Sequence, residues 1–390
     1  MIHFTLFVRT LIVGIGLIGF SPVALAAQPS TSETGQMTES PLVRECEIDK
    51  DAESCMAMAI RTFEGRETPQ NNELARLFAA KACEGELMSG CSFLGAFLQD
   101  GLGGPQDVKG AAALYRRACY NDYKGACYNL GQLLYNNQSD DPEDLAEARK
   151  MFAMGCEAGI PDSCNNQAVM LKFGEGGESD LATARSLFAQ ACDAKRVDAC
   201  ANSGYMMMIG EGGPKQVEMA SQHLQTACDL GSMTGCDNLG VVLLNGLAGA
   251  KDPLEAERLF TKACDGGEAN ACLNLGGMLY NGVTADADPS AARKRFLTGC
   301  ERGSLEACGF LAKMAFDGEG GDTDRVMARQ IYADLCHKFS VSESCVLLSV
   351  IIENGQGGPK DPAASMRALE NGCELGDKNA CLFRDHRKAN

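Results

Sequence analysis

The chain has 390 residues, 20 cysteines, no tryptophan and a formal net charge of −17. An acidic chain without basic blocks excludes nucleic acid and anionic membrane surfaces as partners, because both need clustered Lys and Arg. Cysteine use this dense, in a chain that opens with an export signal, implies an oxidising compartment and structural disulfides.

In chain order, residues 1–26 come first. They hold one basic residue, Arg9, an apolar run from Leu11 to Phe20, and a small-residue site, Ala24-Leu25-Ala26, behind a Ser21-Pro22 break. The apolar run is too short to span a bilayer, so this segment is expected to be a cleaved secretory signal peptide. Residues 27–41 are rich in Ser, Thr, Pro and Gln and are expected to form a disordered linker. Residues 42–390 have a globular composition, and no later stretch is apolar over about 18 residues, so no membrane span is expected after cleavage.

Within 42–390 the cysteines recur with a period of 36 residues, occasionally 37, and fall into pairs eight or nine apart. Ten residues after the second cysteine of a pair stands Gly or Asn: Gly65, Gly101, Asn137, Gly174, Gly210, Gly246, Gly282, Gly318 and Gly355. Both residue types tolerate the left-handed conformation that ends a helix, which predicts ten-residue helices stopping there. The other half of the unit opens with Asp141-Pro142, Asp252-Pro253, Asp288-Pro289 or Asp361-Pro362, an N-cap followed by a residue suited to the first helical position. Ala256, Leu259, Phe260, Ala263 and Cys264 then share one helical face, as do Cys272, Leu275, Gly276 and Leu279. No alternation of period two persists, so strands are not expected. Small residues four after the second cysteine (Gly131, Gly204, Gly240, Gly276) recur against large ones four before the first (Phe152, Leu224, Phe260, Phe296), which predicts close helix–helix contact. The fold class is all-α, a solenoid of about nine helix pairs packing on their neighbours.

Eight residues along one helix separate α-carbons by about 12 Å, whereas a disulfide needs about 4.4–6.8 Å. A reversal at Gly266-Gly267 would bring Cys264 and Cys272 together. The same logic pairs Cys46–Cys55, Cys83–Cys91, Cys119–Cys127, Cys156–Cys164, Cys192–Cys200, Cys228–Cys236, Cys264–Cys272, Cys300–Cys308, Cys336–Cys345 and Cys373–Cys381. Zinc is the rival use of cysteine, but there is no CxxC, and His223, His337 and His386 stand at unrelated repeat positions. Neither metal nor cofactor is expected.

The unit AC-x-NLG-x-x-L-x-x-G…D-P-x-x-A-x-x-LF-x-x-AC resembles the Sel-one-like repeat, a relative of the tetratricopeptide repeat. Its paired cysteines resemble the Helicobacter cysteine-rich proteins. A mitochondrial intermembrane-space assembly factor carries repeats of the same type, but the secretory signal argues against that branch. The resemblance implies an adaptor holding a protein or peptide on a concave surface, monomeric, periplasmic or secreted, and it extends the candidate ligands to a peptidoglycan fragment or a β-lactam. It also implies an alternative, a penicillin-binding protein with slow β-lactamase activity.

The residues carry no hydrolase motif: S-x-x-K, K-T-G, G-x-S-x-G and H-E-x-x-H are all missing. The pieces GEGGPK (Gly210–Lys215) and GQGGPK (Gly355–Lys360) lack the G-K-[ST] ending of a phosphate loop and recur where a turn is needed. One polar feature repeats: Asn129, Asn166, Asn202, Asn238 and Asn274 stand two residues after the second cysteine in five consecutive units. Such a ladder either bonds neighbouring loops or grips the backbone of an extended peptide or glycan. Tyr128, Tyr205 and Tyr280 lie on or near the same helices.

Overall fold

A computed structural model of the chain describes residues 41–48, 50–66, 69–136 and 142–389. The signal segment, the linker up to residue 40, and the helix-end and cap positions Asn137 and Asp141 lie outside the described residues. The described residues form α-helices without a strand, in two compact units divided between Asp107 and Val108.

The first unit contains α1 (Pro41–Glu47), α2 (Ala52–Glu64), α3 (Asn72–Glu84) and α4 (Met88–Asp100). The second contains α5 (Val108–Tyr120), α6 (Gly125–Asn136), α7 (Pro142–Glu157), α8 (Pro161–Phe173), α9 (Leu181–Asp193), α10 (Val197–Ile209), α11 (Val217–Asp229) and α12 (Met233–Asn245). It continues through α13 (Pro253–Asp265), α14 (Ala269–Asn281), α15 (Pro289–Glu301), α16 (Leu305–Asp317), α17 (Arg325–His337), α18 (Ser342–Glu353), α19 (Pro362–Glu374) and α20 (Lys378–Ala389). The linker expected up to residue 41 gives way to helix at Pro41.

Odd-numbered helices carry the first cysteine of each pair and even-numbered ones the second. Ten disulfides join them across the intervening turns, with α-carbons 4.4–4.8 Å apart. At Cys264–Cys272 the chain reverses through Gly266 and Gly267, the latter at φ +106°. The helices ending at glycine are mostly 13 residues long, not ten. They start three residues before the second cysteine, because the bridge lies inside their first turn and the cap outside it.

The expected caps form. Asp252, Asp288 and Asp361 accept from backbone N–H groups at 2.9–3.0 Å, and Gly101, Gly174, Gly210 and Gly282 end helices at φ +62° to +82°. On α13 the five residues of the expected face are all at most 1 % exposed. On α14 the expected set is off by one position, since Met278 is buried and Leu279 only half-buried. An even-numbered helix meets odd-numbered partners on two sides, so its buried face is broader than a single stripe and Leu279 falls at its edge.

Small residues do meet large ones. A Cβ on Gly131, Gly204, Gly240 or Gly276 would stand 2.6–2.8 Å from Phe152, Leu224, Phe260 or Phe296. These glycines are a condition of the helix spacing rather than a weakness within the helix. The GEGG loops have a second reason for glycine. A Cβ on Gly212 would lie 2.2 Å from the Leu181 carbonyl oxygen, so the loop packs directly on backbone at the start of α9. Arg185 of α9 then donates to the Pro214 carbonyl at 2.8 Å, and Arg149, Arg293 and Arg329 repeat that contact on their own loops.

Candidate functional site

The asparagine series lies on α6, α8, α10, α12 and α14 at one register position, because the cysteine frame puts one copy per even-numbered helix. Asn129, Asn202, Asn238 and Asn274 are half-buried, and Asn166 is buried, accepting a bond from Asn165 Nδ2 at 3.2 Å. Asn274 reaches back one repeat and donates from Nδ2 to Asp237 Oδ1 at 2.8 Å. Asp237, on α12, is 6 % exposed. Burial pushes its carboxyl up to about 7, aided by the negative charge of Glu268 and opposed by the bond from Asn274.

The tyrosines divide. Tyr128 is half-buried against Phe152, with ring centroids 6.2 Å apart. Tyr280 donates to Glu319 Oε2 at 2.8 Å. Tyr205 is exposed, and Lys172 Nζ sits 5.6 Å from its ring centre.

Where the asparagines stop, the same register position turns apolar: Phe310 on α16, Leu347 on α18 and Phe383 on α20 are each about half exposed. At that boundary a shallow cleft of about 360 Å³ opens between α14 and α16. Asn274, Asn281, Glu306 and Phe310 line it, with Leu244 and Met278 behind them. A Cβ on Gly277, at its floor, would touch nothing within 4 Å. Phe310 is stacked on buried Phe296, centroids 5.1 Å apart and planes 13° apart, so its exposed face is held rigidly.

Sequence reasoning did not find Asp237, Gly277 or Phe310. Their signal was positional: Phe310 shares the asparagine register and Asp237 precedes it by one. A pairing of Ser203 Oγ with His223 Nδ1 at 2.9 Å also escaped notice. Ser203 is 0 % exposed, however, so no substrate reaches that hydroxyl. Among the described residues no cluster of His, Cys, Asp and Glu is arranged to hold a metal ion, and no helix is long and apolar enough to cross a membrane.

Segments 52–86, 89–123, 125–160, 161–195, 197–232, 235–268, 269–304, 305–333 and 342–377 match the model of the Sel1 repeat. Cytochrome c oxidase assembly factor 7 from Homo sapiens is 32% identical over 138 residues, 34% of this chain and 59% of that protein. Its counterpart from Xenopus tropicalis is 30% identical, over 32% of this chain and 56% of that protein. The chain therefore spans less than two thirds of the length of these curated relatives. The solved structure of a Sel1 repeat protein from Oxalobacter formigenes aligns with 94% of this chain and 98% of its own, at 18% identity and a TM-score of 0.65, a likeness of fold. Helicobacter pylori cysteine rich protein B matches 33% of this chain and 92% of its own, at 25% identity and a TM-score of 0.27.

Proposed function

Since this chain belongs to the Sel1 repeat family, we propose that it is an exported scaffold, periplasmic or secreted, that holds an extended protein or peptide segment on its concave face. The observation that carries this reading is the asparagine series on five successive even-numbered helices, of which Asn129, Asn202, Asn238 and Asn274 reach the surface and the buried Asn166 does not. An extended peptide offers one N–H and one C=O per residue, and a carboxamide meets both, since it has two donors and an acceptor. Repeats stacked at a fixed interval make such a ladder a backbone reader that tolerates varied side chains. Protein binding is the use to which stacked helical repeats lend themselves, because they build extended surfaces rather than enclosed reaction sites. The ten disulfides agree with an oxidising, non-cytosolic compartment.

The test is a double variant, Asn202→Ala with Asn238→Ala, assayed against peptides selected by display on the unmodified protein. Each lost side-chain bond contributes about 0.5–1.5 kcal/mol net, so affinity should fall about tenfold or more while the melting temperature stays within a few degrees. Unchanged affinity in a folded double variant would show that the asparagines do not hold the ligand.

A further inference from the structure

The cleft between α14 and α16 joins three features that the ladder alone does not explain. Its floor is open because Gly277 has no side chain. One wall is the half-exposed, stacked ring of Phe310, with Leu244, Met278 and Val283 completing an apolar lining. Its one charged lining residue is Glu306, which is exposed and makes no ion pair among the described residues. The nearby cations are engaged elsewhere: Arg302 turns onto the Cys264–Cys272 bridge, donating to the Cys264 carbonyl and lying 3.7 Å from Cys272 Sγ, and Lys313 pairs with Asp317 and Glu319. A carboxylate without a partner at the mouth of an apolar cleft, in a chain of net charge −17, is complementary to a cation beside an apolar group.

We propose that this cleft is a specificity pocket taking one large apolar side chain, aromatic by preference, from an extended peptide whose adjacent residue is Lys or Arg. The apolar side chain enters over Gly277 and packs on Phe310, and the cation lies against Glu306. Asn274, held by Asp237, stands where the ladder meets the pocket, so the peptide backbone enters in a set register. This rests on the peptide-binding reading above and adds to it the sequence that the scaffold selects.

The probes are fluorescein-labelled Gly/Ser peptides with a central Lys-Phe-Lys, Lys-Ala-Lys or Glu-Phe-Glu, followed by fluorescence anisotropy with the full chain. Burying the phenyl group and matching the charge should make Lys-Phe-Lys bind about tenfold more tightly than either control. Gly277→Leu fills the floor and should reduce Lys-Phe-Lys to the level of Lys-Ala-Lys. Glu306→Lys should transfer the preference to Glu-Phe-Glu. Circular dichroism melting checks that both variants fold. Absence of binding, equal binding of the three peptides, or undiminished binding by folded Gly277→Leu overturns the pocket. The Asn202→Ala/Asn238→Ala variant separates the two readings. Its loss of binding beside an unaffected Gly277→Leu retires the pocket and keeps the ladder, and the converse result retires the ladder alone.

Discussion

Asp237 is an acid placed where most repeats have a neutral residue, and its cost can be read against pH. Its folded-state carboxyl titrates at about 7 instead of 3.8, so between those limits the native chain holds a proton that the unfolded chain has released. The stabilisation from the protonated form is complete at the acid end of that window and is lost as pH rises through about 7. Asp237→Asn keeps an acceptor for Asn274 Nδ2 and removes the titration. The variant should match the unmodified chain near pH 3, draw ahead as pH rises past 3.8, and exceed it by pH 8 by at most about 4 kcal/mol. Melting curves at both pH values measure this, and parallel pH dependence of the two proteins would refute it.

At the scale of elements, the glycine-rich loops and the arginines beneath them form the contact that sets one helix pair on the previous one. Gly212 combines φ +74° with a carbonyl oxygen where its Cβ would go. Gly212→Ala should cost at least about 2 kcal/mol in urea denaturation. Gly277→Ala, in open space within α14, should instead stabilise by up to about 1 kcal/mol. Equal effects would mean that the loop adjusts and the contact is not specific. The turn chemistry of these loops was legible in their glycines and proline. Arg185 was not, because its acceptors Pro214 and Gln216 lie 29 and 31 residues away and no local pattern announces a bond to a carbonyl.

At the scale of the whole molecule, short-range bridges do the stapling. A bridge closing so short a loop stabilises by roughly 2–3 kcal/mol in the chain-entropy model. Their protection from reductant is unequal. Cys373 and Cys381 are both half-buried, and Ala380 is the one fully buried residue of α20, whereas Cys264 and Cys272 are each 0 % exposed. Brief treatment with dilute dithiothreitol, followed by alkylation and peptide mass spectrometry, should label Cys373 and Cys381 first. Simultaneous labelling of Cys264 and Cys272 would show that opening is global.

The period, the helix pairs, the caps and the bridges follow from sequence alone, since each rests on residues within one 36-residue unit. Cysteine spacing, Asp-Pro and a terminating glycine act over one or two turns of chain, so their meaning does not depend on distant packing. The tertiary structure decided what neighbouring units do to each other. It buried Asp237 beneath Asn274, stacked Phe310 on Phe296, and left the space above Gly277 open. Those outcomes join residues from different repeats, and only the spacing of the packed helices determines which of them meet.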